Sequence, residues 1–269
     1  MKIHKNKQVF FIFIFLSIIF LGGIQYFYLS SQKESLANKT NLQIVIARYN
    51  EDLEWLKENP FNNYPVIVYN KGPNEDYYHA PNIIRNIKLK NVGRCDHTYL
   101  YHIIENYDNL ADVTVFLPGS AQMDTKINKA KKQVEFCAEF NNTVFITNIQ
   151  DMNSYHKNGV KNELYNFQLD DYVSSDEKNK KLNTEEKMLP ATIRPFGKWY
   201  DAQFPNINIK LVNYGGIFGI SKKHINQHPK SYYEKFIGEL NTHSNPEAGH
   251  YFERSWSAVF YPNEDAVIK

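Results

Sequence analysis

An uncharged and mostly apolar run, residues 9–29, lies near the start of the chain. As an α-helix it would be roughly 31 Å long, enough to cross a bilayer core of about 30 Å. Lys2, Lys5 and Lys7 precede the run, and few charges follow it closely. The positive-inside rule therefore predicts a single-pass membrane protein with a cytosolic tail at 1–8, a transmembrane signal-anchor, and a main part that is luminal or extracellular.

A cleavable signal peptide is the alternative interpretation of this run. Residues 9–21 have the length of a signal-peptide core, and the small residues Gly22 and Gly23 follow. However, the apolar character resumes at residues 24–29, and no small-x-small cleavage site comes after it. We therefore favour the membrane anchor.

The rest of the chain has the composition of a globular domain. Residues 30–41 are polar and are interpreted as a stem. The chain is 42% apolar and 15% aromatic, which is typical of a folded protein, so we expect a domain at 42–262 and a short tail at 263–269. The formal charge is only +2, and lysines are interspersed with acids. This balance argues against a nucleic-acid partner.

Short β-branched segments alternate with helical patterns, which predicts an α/β domain with a mostly parallel sheet flanked by helices. After the first strand, Asn50 is expected to cap a helix that carries Leu53 and Trp55. Residues 170–187 are nearly all polar and are interpreted as a mobile insertion. Strands are expected at 43–47, 65–69, 86–92, 112–117, 143–149 and 214–221. Helices are expected at 96–107, 124–140, 224–240 and 247–260.

Ligands of open α/β sheets bind beyond the carboxyl ends of the strands. This rule singles out residues 48–51, 70–72, 93–97 and 118–120, each of which follows a predicted strand. No Walker loop, GxGxxG sequence or serine nucleophile elbow is present. The strand-end segments are therefore the first places to look for a binding site.

The segment after the first strand combines an aromatic ring, a guanidinium group and a carboxylate. Tyr49 could stack on a nucleobase, and Arg48 or the helix N–H groups could bind phosphate, with Asn50 and Glu51 beside them. The alternative is a helix cap with surface charges. The segment alone does not distinguish the two.

The segment at 93–97 is the densest polar cluster. Gly93 allows close approach of a ligand, Arg94 can grip phosphate, and Asp96 or His97 can act as a base or ligand. His97 and His102 are five residues apart and make a poor helical metal pair. The alternative is an ordinary capped helix start.

A carboxylate lies in the aromatic helix predicted near the C-terminus. Glu253 is surrounded in sequence by Tyr251, Phe252 and Trp256, a setting that can raise its pKa and suit it to general-base catalysis. The alternative is an ion pair with Arg254 on a partly buried helix.

Two cysteines and two glycosylation sequons bear on the compartment. A luminal location permits a disulfide between Cys95 and Cys137, and two buried thiols are the alternative. Asn38 and Asn141 begin Asn-x-Thr sequons that would face the lumen under the predicted topology.

Six blocks together resemble the domain of unknown function 3431 family, over about residues 43–261. The opening block, IARYNEDLEWL at 46–56, is followed by VYNKG at 68–72 and later by FERSW at 252–256. The remaining blocks are NVGR at 91–94 with HTYLYHII at 97–104, ADVTVFL at 111–117, and GIFGIS at 216–221.

That family in turn resembles the GT-A glycosyltransferases, through the Tyr49-Asn50-Glu51 turn and the late Glu-Arg-x-Trp helix. The resemblance implies a GT-A-like, Rossmann-type fold and transfer of a sugar from a nucleotide donor to a glycan or protein acceptor. It implies that Glu253 is the catalytic base on the acceptor side. It also implies a donor site formed by Arg48, Tyr49, Asn50, Glu51, Lys71 and Arg94. We also expect His97 to be catalytic and to line the donor site.

The chain departs from the GT-A pattern at the metal site. GT-A enzymes usually hold Mn²⁺ or Mg²⁺ with an Asp-x-Asp sequence after the fourth strand, where this chain reads LPGSAQ at 117–122. Because hard cations need oxygen ligands such as carboxylates, metal dependence stays open, and Arg48, Lys71 or Arg94 could neutralise phosphate instead. A catalytically inert glycan-binding or structural protein on the same fold is the main alternative, and a hydrolase using Asp96 or His97 with Glu253 is a third.

Overall fold

The computed structural model describes residues 41–146, 148–149, 164–171, 187–209 and 211–269. The predicted anchor, nearly all of the stem, the Asn38 sequon and most of the polar insertion lie outside these ranges. In the described ranges, no helix is both long enough and apolar enough to cross a membrane. The described residues belong to a single compact unit that begins at Asn41.

The described residues contain nine strands. They are β1 (Leu42–Arg48), β2 (Val66–Asn70), β3 (Ile83–Lys88), β4 (Val113–Pro118), β5 (Val144–Phe145), β6 (Asn148–Ile149), β7 (Leu211–Val212), β8 (Phe218–Ser221) and β9 (Val267–Ile268). Seven of them form one sheet in the order β3-β2-β1-β4-β8-β5-β9, while β6 and β7 pair separately. The first four strands of this order are parallel, and β8 runs antiparallel to both β4 and β5. The domain is therefore mixed α/β, with the predicted parallel pairing confined to β3-β2-β1-β4 and to β5-β9.

Six α-helices flank the sheet in the described part of the chain. They are α1 (Arg94–Glu105), α2 (Asp124–Phe140), α3 (Phe196–Gln203), α4 (Lys222–Ile225), α5 (Lys230–Ile237) and α6 (Glu247–Val259). Short 3-10 turns occur at Glu54–Lys57, Phe61–Asn63, Tyr107–Asn109 and Gly119–Gln122.

The strand β1 is buried on both faces, which explains its continuous apolar sequence. Ile44 and Ile46 point into a core shared with α2, whereas Val45 and Ala47 point into a second core shared with α1 and α6. This alternation follows from the two-residue period of a strand. The sheet is thus sandwiched between two helical layers, and its strand ends are left as the accessible edge.

Several boundaries predicted from sequence are confirmed, and others are wrong. The helix at 124–140 is confirmed at both ends, and β1, β2, β4 and α6 agree within a residue or two. The helix expected after Asn50 is wrong, because only the 3-10 turn Glu54–Lys57 forms and the Asn50 N–H donates to Glu51 Oε2. The strand expected at 143–149 is divided between β5 and β6, which lie in different sheets. Helix α3 was not predicted, and the expected tail contributes the edge strand β9.

The two cysteines are free thiols on opposite faces of the sheet. Cys137 is buried in the α2 core, where a Cβ on Gly219 would lie 2.1 Å from its Sγ. Cys95 packs against the other core, beside Gly216. The disulfide alternative is therefore wrong, because the sheet separates the two sulfur atoms.

Glu247 fixes the position of α6 against the irregular segments at 164–171 and 187–195. Its side chain is fully buried and accepts hydrogen bonds from Leu169 N–H at 2.8 Å, Ala191 N–H at 2.9 Å and Tyr251 Oη at 2.9 Å. Arg194 Nε lies 2.8 Å from the same carboxylate. Helix α6, which carries Glu253, is consequently held rigidly over the sheet.

Candidate functional site

Three parallel strands end together at one edge of the sheet. Arg48, the last residue of β1, is paired with Asn70 at the end of β2. Ala47 is paired with Pro118 at the end of β4. The segments that the sequence singled out after these strands therefore meet at one place, where α/β sheets bind ligands.

The Arg48 side chain is buried among oxygen atoms of the protein. Its Nε donates to Glu51 O at 2.7 Å, and its Nη1 donates to Asn70 Oδ1 at 2.8 Å and Asn74 O at 2.6 Å. The guanidinium carbon lies 3.8 Å from the centre of the Tyr77 ring, a cation–π contact. Burial lowers the pKa of Arg48. Arg48 thus holds together the turns after β1 and β2 rather than facing outwards.

The Glu51 carboxylate fixes the turn after β1. Its Oε2 accepts the Tyr49 N–H at 2.7 Å and the Asn50 N–H at 3.1 Å. Gly119, just after β4, approaches so closely that a Cβ there would lie 2.7 Å from Oε2. The Tyr49 and Asn50 side chains are half-buried, and they are the members of this turn that can reach a ligand.

Lys71 is turned inwards at the end of β2. Its Nζ donates to Val92 O and Arg94 O. Lys71 therefore holds in place the segment that leads into α1. Burial lowers the pKa of Lys71 to about 7. The neighbouring Gly72 is required sterically, because a Cβ there would lie 1.7 Å from Tyr49 O.

Helix α1 begins with two residues in the left-handed region, Gly93 at φ 59° and Arg94 at φ 51°. A Cβ on Gly93 would lie 2.3 Å from Leu240 O. Glycine is therefore needed both for its positive φ angle and for this close approach. Arg94 is half-buried, and its Nη1 donates to Asn245 Oδ1 at 2.9 Å. The helix start is therefore tied to the segment that precedes α6.

Asp96 is the most perturbed carboxyl group at this edge. It is 2% exposed, and its Oδ1 accepts the Trp256 indole N–H at 2.9 Å. Burial raises the pKa of Asp96 to about 7, and the negative charge of Glu253 adds to the effect. Cys95 Sγ lies 3.5 Å from its Oδ2. The Glu253 carboxylate is therefore close enough for its charge to act on Asp96.

Glu253 projects from α6 towards the loop before β8. Its Oε1 accepts the Gly215 N–H at 2.7 Å, and its Oε2 lies 3.5 Å from Arg254 Nη1. The side chain is 23% exposed, so the carboxylate is partly accessible. Gly215 and Gly216 both have positive φ angles, 85° and 64°, which lets this loop pass close to α1 and α6.

His97 lies on a different side of α1 from Asp96. Its ring stacks on Tyr101 at 6.1 Å, and the charges of Lys71 and Lys90 act on it. Burial, followed by these charges, lowers the pKa of His97 to about 4. Its Nδ1 has no hydrogen-bond partner among the residues that the structure describes. The contacts of His97 and of Glu253 involve separate sets of residues.

A pocket of about 470 Å³ adjoins the Gly215 loop. Its polar lining consists of Thr125, Lys126, Lys129, Tyr214, Gly215 and Lys269, with three aliphatic side chains completing it. We call it the lysine pocket. The sequence predicted the helix at 124–140 but did not assign it to a site. Lys126 and Lys129 share one face of this helix, but Lys129 and Lys132 have the same spacing, so the pattern alone did not single them out.

Among the described residues, the end of β4 offers no set of ligands for a hard divalent cation. In the described ranges, no group of three His, Cys, Asp or Glu side chains is arranged to hold a metal ion. After β4, the residues are Gly119 and Ser120, and the nearby Glu51 carboxylate already binds two N–H groups. Mg²⁺ and Mn²⁺ sites need one or more available carboxylates; in the described ranges Glu253 is the partly accessible carboxylate at this edge, and it belongs to no group of three potential ligands.

The Asn141 sequon lies at the opposite end of α2. Asn141 is exposed and adopts the left-handed conformation that ends the helix. Thr143 of the same sequon is buried, and its Oγ1 lies 2.6 Å from His224 Nδ1. Glycosylation of Asn141 remains a prediction that follows from the proposed topology.

A family model described as "Protein of unknown function (DUF3431)" matches residues 44–268, from β1 to β9. The chain belongs to the DUF3431 family. The match includes every strand-end segment described above, α6, and every residue that lines the lysine pocket except Lys269. No curated protein matches this DUF3431 chain.

Proposed function

We propose that this DUF3431 domain is a glycosyltransferase-like enzyme that binds a nucleotide-sugar donor at the carboxyl edge of β1, β2 and β4. The observation that carries the proposal is the convergence at this edge of the 48–51 turn, the β4 end, the Gly215 loop and the Glu253 carboxylate. The GT-A relationship belongs to the same proposal, since the mixed sheet and its parallel half are compatible with it.

The donor-site residues divide into two roles in this proposal. Tyr49 and Asn50 are half-buried and contact the donor, whereas Arg48, Glu51 and Lys71 hold the turns in shape through internal bonds. Arg94 joins the second group through Asn245. Most of the sequence-predicted donor residues therefore act as positioning residues.

Glu253 acts as the base in the proposed reaction. Its carboxylate takes the proton from an acceptor hydroxyl while the hydroxyl oxygen forms a bond to the anomeric carbon of the sugar. The bond between that carbon and the donor phosphate breaks, and the nucleoside diphosphate leaves with the electron pair. The hydrogen bond from Gly215 N–H orients the carboxylate, and the other oxygen is left mainly to solvent and Arg254. His97 affects this step only indirectly, because its contacts lie elsewhere.

The proposed setting is a single-pass membrane protein with its N-terminus in the cytosol. It rests on the apolar run at 9–29 and on the lysines that precede it. The domain would then meet its glycan or protein acceptor in the lumen or outside the cell.

An inert glycan-binding protein on the same fold is the second candidate. The observation that favours it is the absence of a fitting metal site in the described ranges, together with the engagement of Glu253 by Gly215. Such a protein would bind no donor and would release no nucleoside diphosphate.

The test uses the full-length chain in mild detergent with a panel of UDP-, GDP- and CDP-sugars. A donor at 100 times its Kd stabilises the folded state by about 2.7 kcal/mol, which thermal shift detects. Nucleoside diphosphate release in the presence of glycan acceptors then measures turnover. Stabilisation by one nucleotide class with turnover supports the enzyme, and a folded protein that responds to no donor favours the inert candidate.

The base assignment has a matched control. Glu253→Gln should abolish transfer and leave donor binding intact, because only the proton acceptor is removed. Glu234→Gln makes the same change at an exposed position of α5 and should behave as wild type. Unchanged turnover in Glu253→Gln rules out Glu253 as the base.

A further inference from the structure

The cations that the sequence suggested for phosphate binding already donate hydrogen bonds to other groups of the protein. The Arg48 guanidinium is buried against protein oxygens, and Lys71 Nζ donates to two main-chain carbonyls. Arg94 donates to Asn245. A phosphate group at this edge would have to displace these bonds to reach Arg48 or Lys71, which is costly for buried charges.

The lysine pocket presents cations that have only neutral partners in the described part of the chain. Lys126 Nζ donates to Ser120 Oγ at 3.0 Å, directly after β4, and Lys129 Nζ donates to Tyr214 O at 3.0 Å. Lys269 also lines the pocket, but its Nζ lies over the Phe136 and Phe140 rings. Lys126 and Lys129 therefore supply the pocket's available positive charge.

We propose that the lysine pocket binds the phosphate groups of an anionic ligand, and that Lys126 and Lys129 neutralise the charge that a divalent cation neutralises in metal-dependent transferases. The inference rests on the proposed function, in which that ligand is the nucleoside-diphosphate portion of the donor. It concerns the same edge of the sheet, since Lys126 is bonded to Ser120 after β4.

The chemistry of the pocket lining suits phosphate. None of the described residues that line the pocket is acidic. The pocket lies against the first turns of α2, whose N-terminal end carries partial positive charge. Its volume of about 470 Å³ is within the range of small-molecule sites. Ammonium groups with neutral partners form charge-assisted hydrogen bonds to phosphate oxygens without first breaking an ion pair.

The electrostatic state of Lys129 agrees with this arrangement. Burial lowers the pKa of Lys129 to about 8, and Glu253 opposes the shift. The positive charge of the Lys129 ammonium group is therefore only partly balanced by nearby negative charge. A bound anion would favour its charged form. The pocket and the proposed base lie side by side, because Gly215 lines the pocket and its N–H donates to Glu253 Oε1.

The role of the pocket in the reaction is to stabilise the leaving group. When the bond between the anomeric carbon and the phosphate oxygen breaks, the nucleoside diphosphate gains negative charge. Two fixed ammonium groups beside that position stabilise this charge more in the transition state than in the bound donor. In this proposal the two lysines neutralise the leaving-group charge, so the step does not require a metal ion.

The experiment measures binding of inorganic pyrophosphate and of UDP to the full-length chain in mild detergent, by calorimetry with EDTA present. Lys126→Gln and Lys129→Gln should each weaken pyrophosphate binding about tenfold, the loss expected for one charged hydrogen bond. Lys129→Arg should keep most of the affinity because it keeps the charge. Lys131→Gln is the matched control on the same helix, since Lys131 is paired with Glu58 at 2.7 Å outside the pocket.

The outcomes separate this inference from the proposed function. No pyrophosphate binding by the wild type in EDTA, or equal binding by the folded Lys126→Gln, Lys129→Gln and wild-type proteins, overturns the inference. If the lysine variants weaken pyrophosphate binding but no sugar nucleotide is turned over, the anion site stands and the transferase function falls. If Mn²⁺-dependent transfer occurs with an unchanged KM in both lysine variants, the function stands and this inference falls.

Discussion

The Asp96→Asn substitution tests the electrostatics of the site through protein stability. Asp96 is 2% exposed, and its Oδ1 accepts the Trp256 indole N–H. Asparagine has nearly the same shape, and its amide oxygen can accept the same bond. The substitution therefore removes the buried ionisable group and leaves the packing around α1 and α6 in place.

The expected magnitude follows from the pKa of Asp96, which burial raises from 3.8 to about 7. Each tenfold change in an ionisation equilibrium corresponds to about 1.4 kcal/mol, so ionising this carboxyl costs the folded state about 4 kcal/mol relative to the unfolded chain. A raised pKa means that the folded state binds the proton more tightly. The penalty is therefore absent below about pH 4, grows as pH rises, and is complete above about pH 7.

The assay is urea unfolding of wild-type and variant proteins at pH 4.5, 6 and 8. Asp96→Asn should gain stability relative to wild type as pH rises, by up to about 4 kcal/mol at pH 8. Burial lowers the pKa values of His97, His102 and His250 to about 4, 3 and 2. Those histidines destabilise both proteins as pH falls below 6.5, so their effects largely cancel in the difference.

A matched control makes the result decisive. Asp108→Asn changes the same charge at an exposed position shortly after α1, and its stability difference from wild type should stay near zero at every pH. A difference for Asp96→Asn that is independent of pH, or a variant less stable than wild type at pH 8, would refute the reasoning.

Two further predictions concern the packing that positions the site. Gly119→Ala should lower stability by about 1–3 kcal/mol, because its Cβ would lie 2.7 Å from Glu51 Oε2. Gly238→Ala is the control and should have a much smaller effect, because the nearest contact of its Cβ is at 3.7 Å. Equal melting temperatures for the two variants would contradict this prediction. Glu247→Ala should cost about 3 kcal/mol or more in urea unfolding, because it leaves Arg194 and two N–H groups without their buried partner. The exposed Glu264→Ala is its control, and a Glu247→Ala cost as small as that of the control would show that α6 is held by other contacts.

The sequence predicted the elements whose signal is local. The β1 and β2 segments are short apolar runs that end at polar turns, and α2 has a clear helical pattern with Asp124 in its first turn. Helix α3 was missed although Phe196, Trp199 and Tyr200 have the i, i+3, i+4 spacing of a buried helix face, because at eight residues it is too short for that pattern to repeat. The helix expected after Asn50 is reduced to the 3-10 turn Glu54–Lys57, which is preceded by Leu53 rather than capped by Asn50.

The ends of β1, β2 and β4, which the sequence singled out, meet at one edge of the sheet, and the roles assigned to their residues stay predictions. Whether a cation can bind a ligand depends on which protein oxygen atoms already accept its hydrogen bonds. These contacts form only in the folded chain. Arg48 and Lys71 resemble ligand-binding cations in sequence, yet Arg48 Nε and Nη1 and Lys71 Nζ already donate to protein carbonyl and amide oxygens.

The same reasoning explains why Lys126 and Lys129 were overlooked. In sequence they are two of several lysines on a basic helix, and nothing local distinguishes them from Lys131, which pairs with Glu58. Folding places the first two beside Ser120 and Tyr214, where their partners are neutral. A charged side chain is available to a ligand when the fold gives it neutral neighbours and an opening, and by that criterion the positive charge of this site comes from α2 rather than from the ends of β1 and β2.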